Sequence, residues 1–153
     1  DYTSAEKYFK KVSEYAVKLG VRGAVTFLGK IKSDRELAEI FRAADIFIFP
    51  SHLQSWGLVV FEAMASGMPV IVSKSAGASE VLTDQKNSLL INPKSPEEIA
   101  SCVKKLAVDQ NFYRELSQNA RKFVEEKISW SSYTDRMLAV FASVLGQARD
   151  FSE

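Results

Sequence analysis

The sequence predicts a doubly wound α/β fold, in which a parallel sheet carries helices on both of its faces. Three observations lead to this prediction. Short runs that are apolar on both sides, such as residues 46–49 and 70–72, alternate with amphipathic helical patterns. Several of the helical patterns have a recognisable start or stop signal. The length of 153 residues, with 46% hydrophobic residues, is that of one domain with a packed core.

The N-terminal part is predicted to form a helix, a strand and a second helix. Residues 3–6, Thr-Ser-Ala-Glu, have the spacing of a capping box, and apolar residues recur at helical intervals from there until Gly20. Residues 25–28, Val-Thr-Phe-Leu, are β-branched and aromatic, which predicts a strand. Residues 33–36, Ser-Asp-Arg-Glu, form a second capping box that opens a helix through about Ala44.

The central part is predicted to contain two buried strands around one helix. Residues 46–49, Ile-Phe-Ile-Phe, are apolar on both faces, and Pro50 ends this strand. The helix is expected to begin near Gly57 and to run through residue 65, with Gly67 as its stop signal. Residues 70–72, Val-Ile-Val, form the second two-sided strand.

The C-terminal part is predicted to be mostly helical. Residues 77–82 fit a short helix, and residues 88–91 a last strand, which makes four strands in the chain. Residues 95–98, Ser-Pro-Glu-Glu, combine a cap, a proline at the first helical position and a following acid, which is typical of a helix start. Three helices are then expected over residues 97–108, 111–127 and 131–145.

Composition excludes several classes of function. Lys and Arg number 20 against 19 Asp and Glu, so the net charge of +1 does not call for a polyanion, and no nucleic-acid partner is expected. The single Cys102 cannot form an internal disulfide, which fits a reducing cytosol. No apolar run comes near the roughly 20 residues that cross a bilayer, and no secretion signal is visible. We therefore expect a soluble cytoplasmic protein with no membrane contact indicated by this chain.

The loop between residues 50 and 57 is the strongest candidate for a ligand site, because ligands of open parallel sheets bind beyond the carboxyl ends of the strands. Gly57 at a helix start lets a ligand approach the backbone closely, and the free N–H groups of Gly57, Leu58 and Val59 lie at the positive end of the helix dipole. This arrangement predicts an anion site, most commonly for phosphate, although no P-loop lysine or dinucleotide fingerprint is present.

Glu62 is the one charged residue in this otherwise apolar helix. If it is buried it needs partners, because an unpaired carboxylate in an apolar setting is costly. The alternative is that Glu62 faces solvent or caps a neighbouring loop. His52, the one histidine, is interpreted as a loop residue in preference to a catalytic one.

The central segment resembles a known family. Pro50-Ser51, residues 56–65 (Trp-Gly-Leu-Val-Val-Phe-Glu-Ala-Met-Ala) and residues 67–71 (Gly-Met-Pro-Val-Ile) are similar to the signature of the retaining GT-B glycosyltransferases of family four, the glycosyl transferases group 1. The likeness extends over nearly the whole chain, with further matches in residues 76–81, 87–91 and 129–130.

The resemblance implies roles for particular residues. Of two family glutamates eight positions apart, the second binds the ribose of the sugar nucleotide, and this role falls on Glu62. The first contacts the sugar, and its position holds Gln54, which keeps hydrogen bonding but loses the charge that stabilises an oxocarbenium ion. The resemblance also places Trp56, Gly57, Leu58 and Val59 against the diphosphate and the sugar. It places Gly29, Lys30 and Ile31 at the base, although a solvated loop charge is the preferred interpretation of Lys30.

The function that we expect is that of the donor-binding half of a retaining glycosyltransferase. The resemblance implies a nucleotide diphosphate sugar as substrate, no cofactor and no metal. It also implies an acceptor glycan or lipid bound by a separate N-terminal domain, through which the protein could be peripheral at the inner membrane. Two strands of the sheet are expected upstream of Asp1, so that the chain is a piece truncated at its N-terminus. The alternatives are a non-catalytic nucleotide-sugar-binding or interaction module, marked by Gln54, and a sugar-nucleotide epimerase on the same fold.

Overall fold

The computed structural model describes residues 2–51 and 56–150, with side chains for residues 6–51 and 56–145. The chain divides after Ser33 into two compact units. The first unit contains helix α1, Tyr2–Lys18, and a short 3-10 helix, Arg22–Ala24. The second contains helices α2 to α6 and strands β1 to β3.

The second unit has a three-stranded parallel sheet in the order β1, β2, β3. The strands are β1 (Phe47–Phe49), β2 (Val70–Ser73) and β3 (Leu89–Ile91), with Phe47 opposite Val70 and Ile71 opposite Leu89. The helices are α2 (Asp34–Ala43), α3 (Leu58–Ala65), α4 (Pro96–Val108), α5 (Gln110–Lys127) and α6 (Trp130–Asp150), and a 3-10 helix spans Gly77–Glu80.

Both faces of the sheet are covered, because alternate residues of each strand belong to different core clusters. Val70 and Val72 of β2 pack with α3 in one cluster. Ile71, between them, packs with Leu106 of α4 and Leu116 of α5 in the other. All three β2 residues are fully buried. This confirms the predicted class of fold, a parallel sheet with helices on both faces, and explains why its strands are apolar on both sides.

The strand expected over residues 25–28 is wrong, because these residues belong to no strand of the described chain. A strand needs a neighbouring strand to form backbone hydrogen bonds with. Residues 25–28 make contacts within the first unit instead. The guanidinium of Arg22 donates to the carbonyl oxygen of Val25 at 3.0 Å. The ring of Phe27 packs edge-on against Phe9, with 4.9 Å between ring centroids. The β-branched and aromatic composition therefore reflects packing within the first unit.

The elements after β2 follow the prediction closely, apart from the type of the short helix that follows this strand. Residues 77–82 were expected to form a short helix, and the structure has the 3-10 helix Gly77–Glu80 there. Helix α4 starts as expected, with Pro96 in its first turn and Ser95 Oγ accepting from the backbone N–H of Glu98 at 3.4 Å. Helix α5 is anchored to the sheet by the Tyr113 hydroxyl, which donates to the carbonyl oxygen of Asp45 at 2.9 Å.

Candidate functional site

The turn into α3 has a backbone that favours glycine. Gly57, the N-cap of α3, has φ +88° and ψ +58° and is buried. This left-handed conformation is strained for residues with a Cβ, so a glycine is the residue that fits it without cost. The carbonyl oxygen of Trp56 accepts a hydrogen bond from the N–H of Ala78 at 2.8 Å, which ties the turn to the 3-10 helix after β2.

The start of α3 presents free backbone donors. The N–H of Val60 makes a bond to the carbonyl oxygen of Gly57 at 3.0 Å. The N–H groups of Leu58 and Val59 precede this bond, and helix geometry gives them no partner within α3. They lie at the positive end of the helix dipole, and α3 is the element that follows β1 in the chain. A helix start of this kind is suited to an anion, and the anion site itself stays a prediction.

Glu62 lies on the exposed face of α3, which decides between the two alternatives left open by the sequence. Its neighbours one turn away, Leu58 and Ala65, are exposed as well. The opposite face of α3 is buried, with Val60 and Met64 fully inaccessible. The carboxylate of Glu62 takes part in no ion pair among the described residues. It is thus available to a ligand and is not consumed by a structural contact.

Two grooves flank Glu62. One, with a volume of about 330 Å³, lies between α2 and α3 and includes Leu37, Phe41 and Asp34. The other, of about 630 Å³, lies between α3, α5 and the start of α6 and includes Trp130 and Tyr133. Both are walled mainly by apolar side chains. Glu62 is therefore a carboxylate on a ridge between two apolar grooves.

Trp56 stands beside this ridge. Its ring packs against that of Phe61 at 5.6 Å between centroids and is 37% exposed. Leu58 is 63% exposed, whereas Val59 is partly buried against the core. The structure thus brings together Trp56, Gly57, Leu58, Val59 and Glu62 on one helix start.

The structure does not test the roles expected of the other residues that the sequence singled out. Gln54 and His52 lie outside the described residues. Gly29 and Ile31 belong to the first unit, in which Gly29 has φ +69° and Ile31 is partly buried. The base-binding role expected of Gly29 and Ile31, and the sugar contact expected of Gln54, therefore stay predictions.

The sequence interpretation missed the wall that α5 and α6 contribute to the larger groove. Val124, Ile128, Trp130 and Tyr133 line it, more than 60 positions beyond Glu62. Trp130 was noted only as the start of the closing helix. Its 84% exposure in the structure is unusual for a tryptophan and marks this wall as accessible.

Neither a metal-binding cluster nor a membrane-spanning helix is found among the described residues. No three His, Cys, Asp or Glu side chains of this part of the chain lie close enough together to hold a metal ion. No described helix is long and apolar enough to span a bilayer.

The parallel sheet with helices on both faces defines a Rossmann-like α/β domain. The chain belongs to the glycosyl transferases group 1, whose sequence model matches residues 5–123. This confirms the resemblance seen in residues 50–71.

Similar proteins are glycosyltransferases of larger size. The chain is 35% identical over 130 residues to an uncharacterized glycosyltransferase of Methanocaldococcus jannaschii, covering 85% of this chain and 33% of the relative. It is 34% identical over 140 residues to a D-inositol 3-phosphate glycosyltransferase of Mycobacteroides abscessus, covering 90% of this chain and 30% of the relative. The chain thus spans about a third of the length of these two relatives.

Solved structures show the same fold. The C-terminal domain of a glycosyl transferase group 1 family protein from Francisella tularensis superposes with a TM-score of 0.75 at 30% identity, covering 81% of this chain and 64% of that one. HepE of Anabaena, solved in complex with UDP and glucose, gives a TM-score of 0.83 at 22% identity, covering 92% of this chain and 38% of that one. The second likeness shows the fold alone.

Proposed function

We propose that the chain is the donor-binding half of a retaining glycosyltransferase, which transfers a sugar from a nucleotide diphosphate sugar to an acceptor. One observation carries the proposal: an exposed, unpaired carboxylate, Glu62, follows a glycine-led helix start on the same short helix. The family and the named relatives support sugar transfer from a nucleotide sugar.

The spacing along α3 suits a nucleoside diphosphate. With a rise of 1.5 Å per residue, Leu58 and Glu62 are separated by about 6 Å along the helix axis. An anion at the N–H groups of Leu58 and Val59 therefore lies one turn from the carboxylate. In our proposal the diphosphate occupies the helix start, beside Trp56 and Gly57, and the ribose occupies the ridge at Glu62.

Glu62 suits the ribose because a carboxylate has two oxygens that accept hydrogen bonds. The 2′- and 3′-hydroxyls of ribose are adjacent donors, so one carboxylate can accept from both. The same negative charge repels the phosphates, which keeps them at the positive end of α3. The carboxylate and the helix start thus fix the orientation of the nucleotide.

Gln54 is proposed to contact the transferred sugar. Its amide both donates and accepts, so hydrogen bonds to sugar hydroxyls are retained. A neutral amide gives less stabilisation than a carboxylate to the positive charge that develops at the anomeric carbon. We therefore expect transfer that is slower than with a glutamate at this position.

The rest of the reaction depends on groups that this chain does not supply. We propose that the acceptor, a glycan or a lipid, is bound by the N-terminal domain of the parent protein, and that Gly29 and Ile31 border the donor base. Neither a metal nor a cofactor enters the proposal. A cytoplasmic location also stays a prediction.

Gln54 favours a second candidate, a non-catalytic module that binds nucleotide sugars. Calorimetry of the parent protein with UDP, GDP and ADP, followed by transfer assays with the corresponding sugar nucleotides, separates the two. Binding with sugar transfer supports the enzyme, and binding without transfer supports the module. Absence of binding for all three nucleotides would contradict both.

A further inference from the structure

A polar cavity of about 410 Å³ lies between α5 and the turn that precedes β3. It shares no lining residue with the two grooves that flank Glu62. Asn87 lies two residues before β3, on the side of its amino end, whereas Gly57 follows β1 in the chain. The cavity is therefore separate from the proposed donor site.

The turn that forms one wall is internally braced. The backbone N–H groups of Lys86 and Asn87 both donate to the carbonyl oxygen of Thr83, at 3.2 and 3.1 Å. The side-chain oxygen of Asn87, a residue only 5% exposed, accepts from the N–H of Thr83 at 2.8 Å. The ammonium group of Lys105 on α4 donates a hydrogen bond of 3.0 Å to the side-chain oxygen of Gln85, the residue before Lys86. Lys86 is consequently presented by a preformed turn.

The lining carries an excess of positive charge. Three lysines, Lys86, Lys122 and Lys127, line the cavity together with one acid, Glu126. The carboxylate of Glu126 lies 3.9 Å from the ammonium group of Lys122 and compensates the charge of that lysine. Lys86 and Lys127 have no ion pair among the described residues. Two uncompensated cations in one concave site favour an anionic occupant.

The negative end of α5 does not cancel this charge. The carbonyl oxygen of Lys127 accepts from Arg136 Nη2 at 2.9 Å and from the hydroxyl of Ser132 at 3.2 Å. These donors satisfy the last carbonyl group of the helix and reduce its pull on the lysine ammonium.

Neutral polar groups and one aromatic ring complete the lining. The side-chain amide of Asn119 is half-buried and has no hydrogen-bond partner in the part of the chain that the structure describes. The Thr83 hydroxyl also borders the cavity, and Phe123 contributes a partly buried apolar ring. Amide and hydroxyl groups exchange hydrogen bonds with ligand hydroxyls, and a ring packs against the C–H face of a sugar.

We propose that this cavity binds a phosphorylated polyol, such as a sugar phosphate. Lys86 and Lys127 bind the phosphate, and Asn119 and Thr83 bind hydroxyl groups. The volume admits one such molecule. This second site acts independently of the donor site at Glu62.

The test is an NMR titration of the isotopically labelled parent protein with three probes: glucose 6-phosphate, inorganic phosphate and glucose. Glucose 6-phosphate should shift the amide signals of residues 83–87 and 119–127 and should bind more tightly than either other probe. Lys86→Gln and Lys127→Gln should each weaken binding about tenfold, the usual effect of losing a charge-assisted hydrogen bond. Lys104→Gln, which removes an exposed lysine of α4 outside the cavity, serves as the matched control and should leave binding unchanged.

Each other outcome overturns the proposal. An absence of shifts in both segments would exclude the site. Shifts that persist unchanged in Lys86→Gln and Lys127→Gln would show that the lysines do not bind the phosphate. Equal affinity for inorganic phosphate and glucose 6-phosphate would reduce the cavity to an anion site without polyol recognition.

Discussion

Replacing Glu62 by glutamine should weaken binding of nucleoside diphosphates by roughly tenfold. The side chain is exposed on α3 between two open grooves, so its hydrogen bonds to ribose compete with water. The loss therefore falls at the lower end of the range of 1.5 to 3 kcal/mol for hydrogen bonds to charged groups, and about 1.4 kcal/mol corresponds to tenfold in affinity. Glutamine retains one acceptor oxygen and nearly the same volume, so the fold should be unaffected.

The assay is calorimetric titration of the parent protein with UDP, GDP or ADP, whichever binds. The same nucleotide lacking its 2′- and 3′-hydroxyls completes a double-mutant cycle. If Glu62 accepts from those hydroxyls, the unchanged protein should bind the deoxygenated nucleotide about tenfold more weakly. Glu62→Gln should discriminate much less between the two nucleotides.

Two further measurements define the control. Glu115→Gln, an exposed acid of α5 outside both grooves, should bind the nucleotide like the unchanged protein. Inorganic diphosphate, which has no ribose, should not bind more weakly to Glu62→Gln than to the unchanged protein. Additive effects of the Glu62→Gln substitution and the hydroxyl deletion would refute the reasoning, because they would mean that the carboxylate and the ribose do not interact.

Three other predictions concern the sugar and the stability of the fold. Gln54→Ala should lower sugar transfer far more than it weakens binding of the free nucleoside diphosphate, whereas Gln54→Glu should be tolerated; equal losses in both assays would show that Gln54 does not contact the sugar. The backbone N–H and side-chain amide of Asn92 donate to Glu98 and hold the pKa of its carboxyl below the usual value, so Glu98→Gln should lower the unfolding midpoint at pH 7. The difference in unfolding midpoint between the two proteins should shrink on acidification, because the stabilisation is lost as the pH falls through the lowered pKa of Glu98. A difference that stays constant in chemical denaturation from pH 7 to acid would contradict this prediction. Leu106→Ala, at a fully buried position, should lower the free energy of unfolding by about 2 to 5 kcal/mol. Val108→Ala, at a 76% exposed position of the same helix, should lower it by at most about 0.5 kcal/mol. Similar unfolding midpoints for the two variants would argue against the core cluster that contains Leu106.

The two-sided strands were predictable because their signal is local. Residues 46–49 and 70–72 are apolar on both sides, and in the structure each side belongs to its own core cluster. Residues 25–28 have equal propensity for a strand, but propensity does not supply a partner, and their contacts lie within the first unit instead. The additional strands expected upstream in a longer chain stay a prediction.

The helix start at Gly57 was predictable for the same reason, whereas the surroundings of Glu62 were not. A glycine before an apolar helix is a local signal, and glycine permits the left-handed φ that the structure has at this position. The direction of Glu62 was ambiguous, because a two-turn helix with a single charged residue shows no clear polar face. Trp130 and Tyr133 reach the groove through the packing of α5 on α3, a tertiary arrangement that no spacing near Glu62 encodes.

The division of α3 into a fully buried face and an exposed face constrains how donor preference can change in evolution. Val60, Ala63 and Met64 have no accessible surface, so a substitution there that moves α3 also displaces the helix start and the carboxylate. The side chains of α2 and α6 that line the two grooves can vary without moving α3. We expect related sequences with different donors to differ at those walls, while the inner face of α3 stays nearly constant in volume.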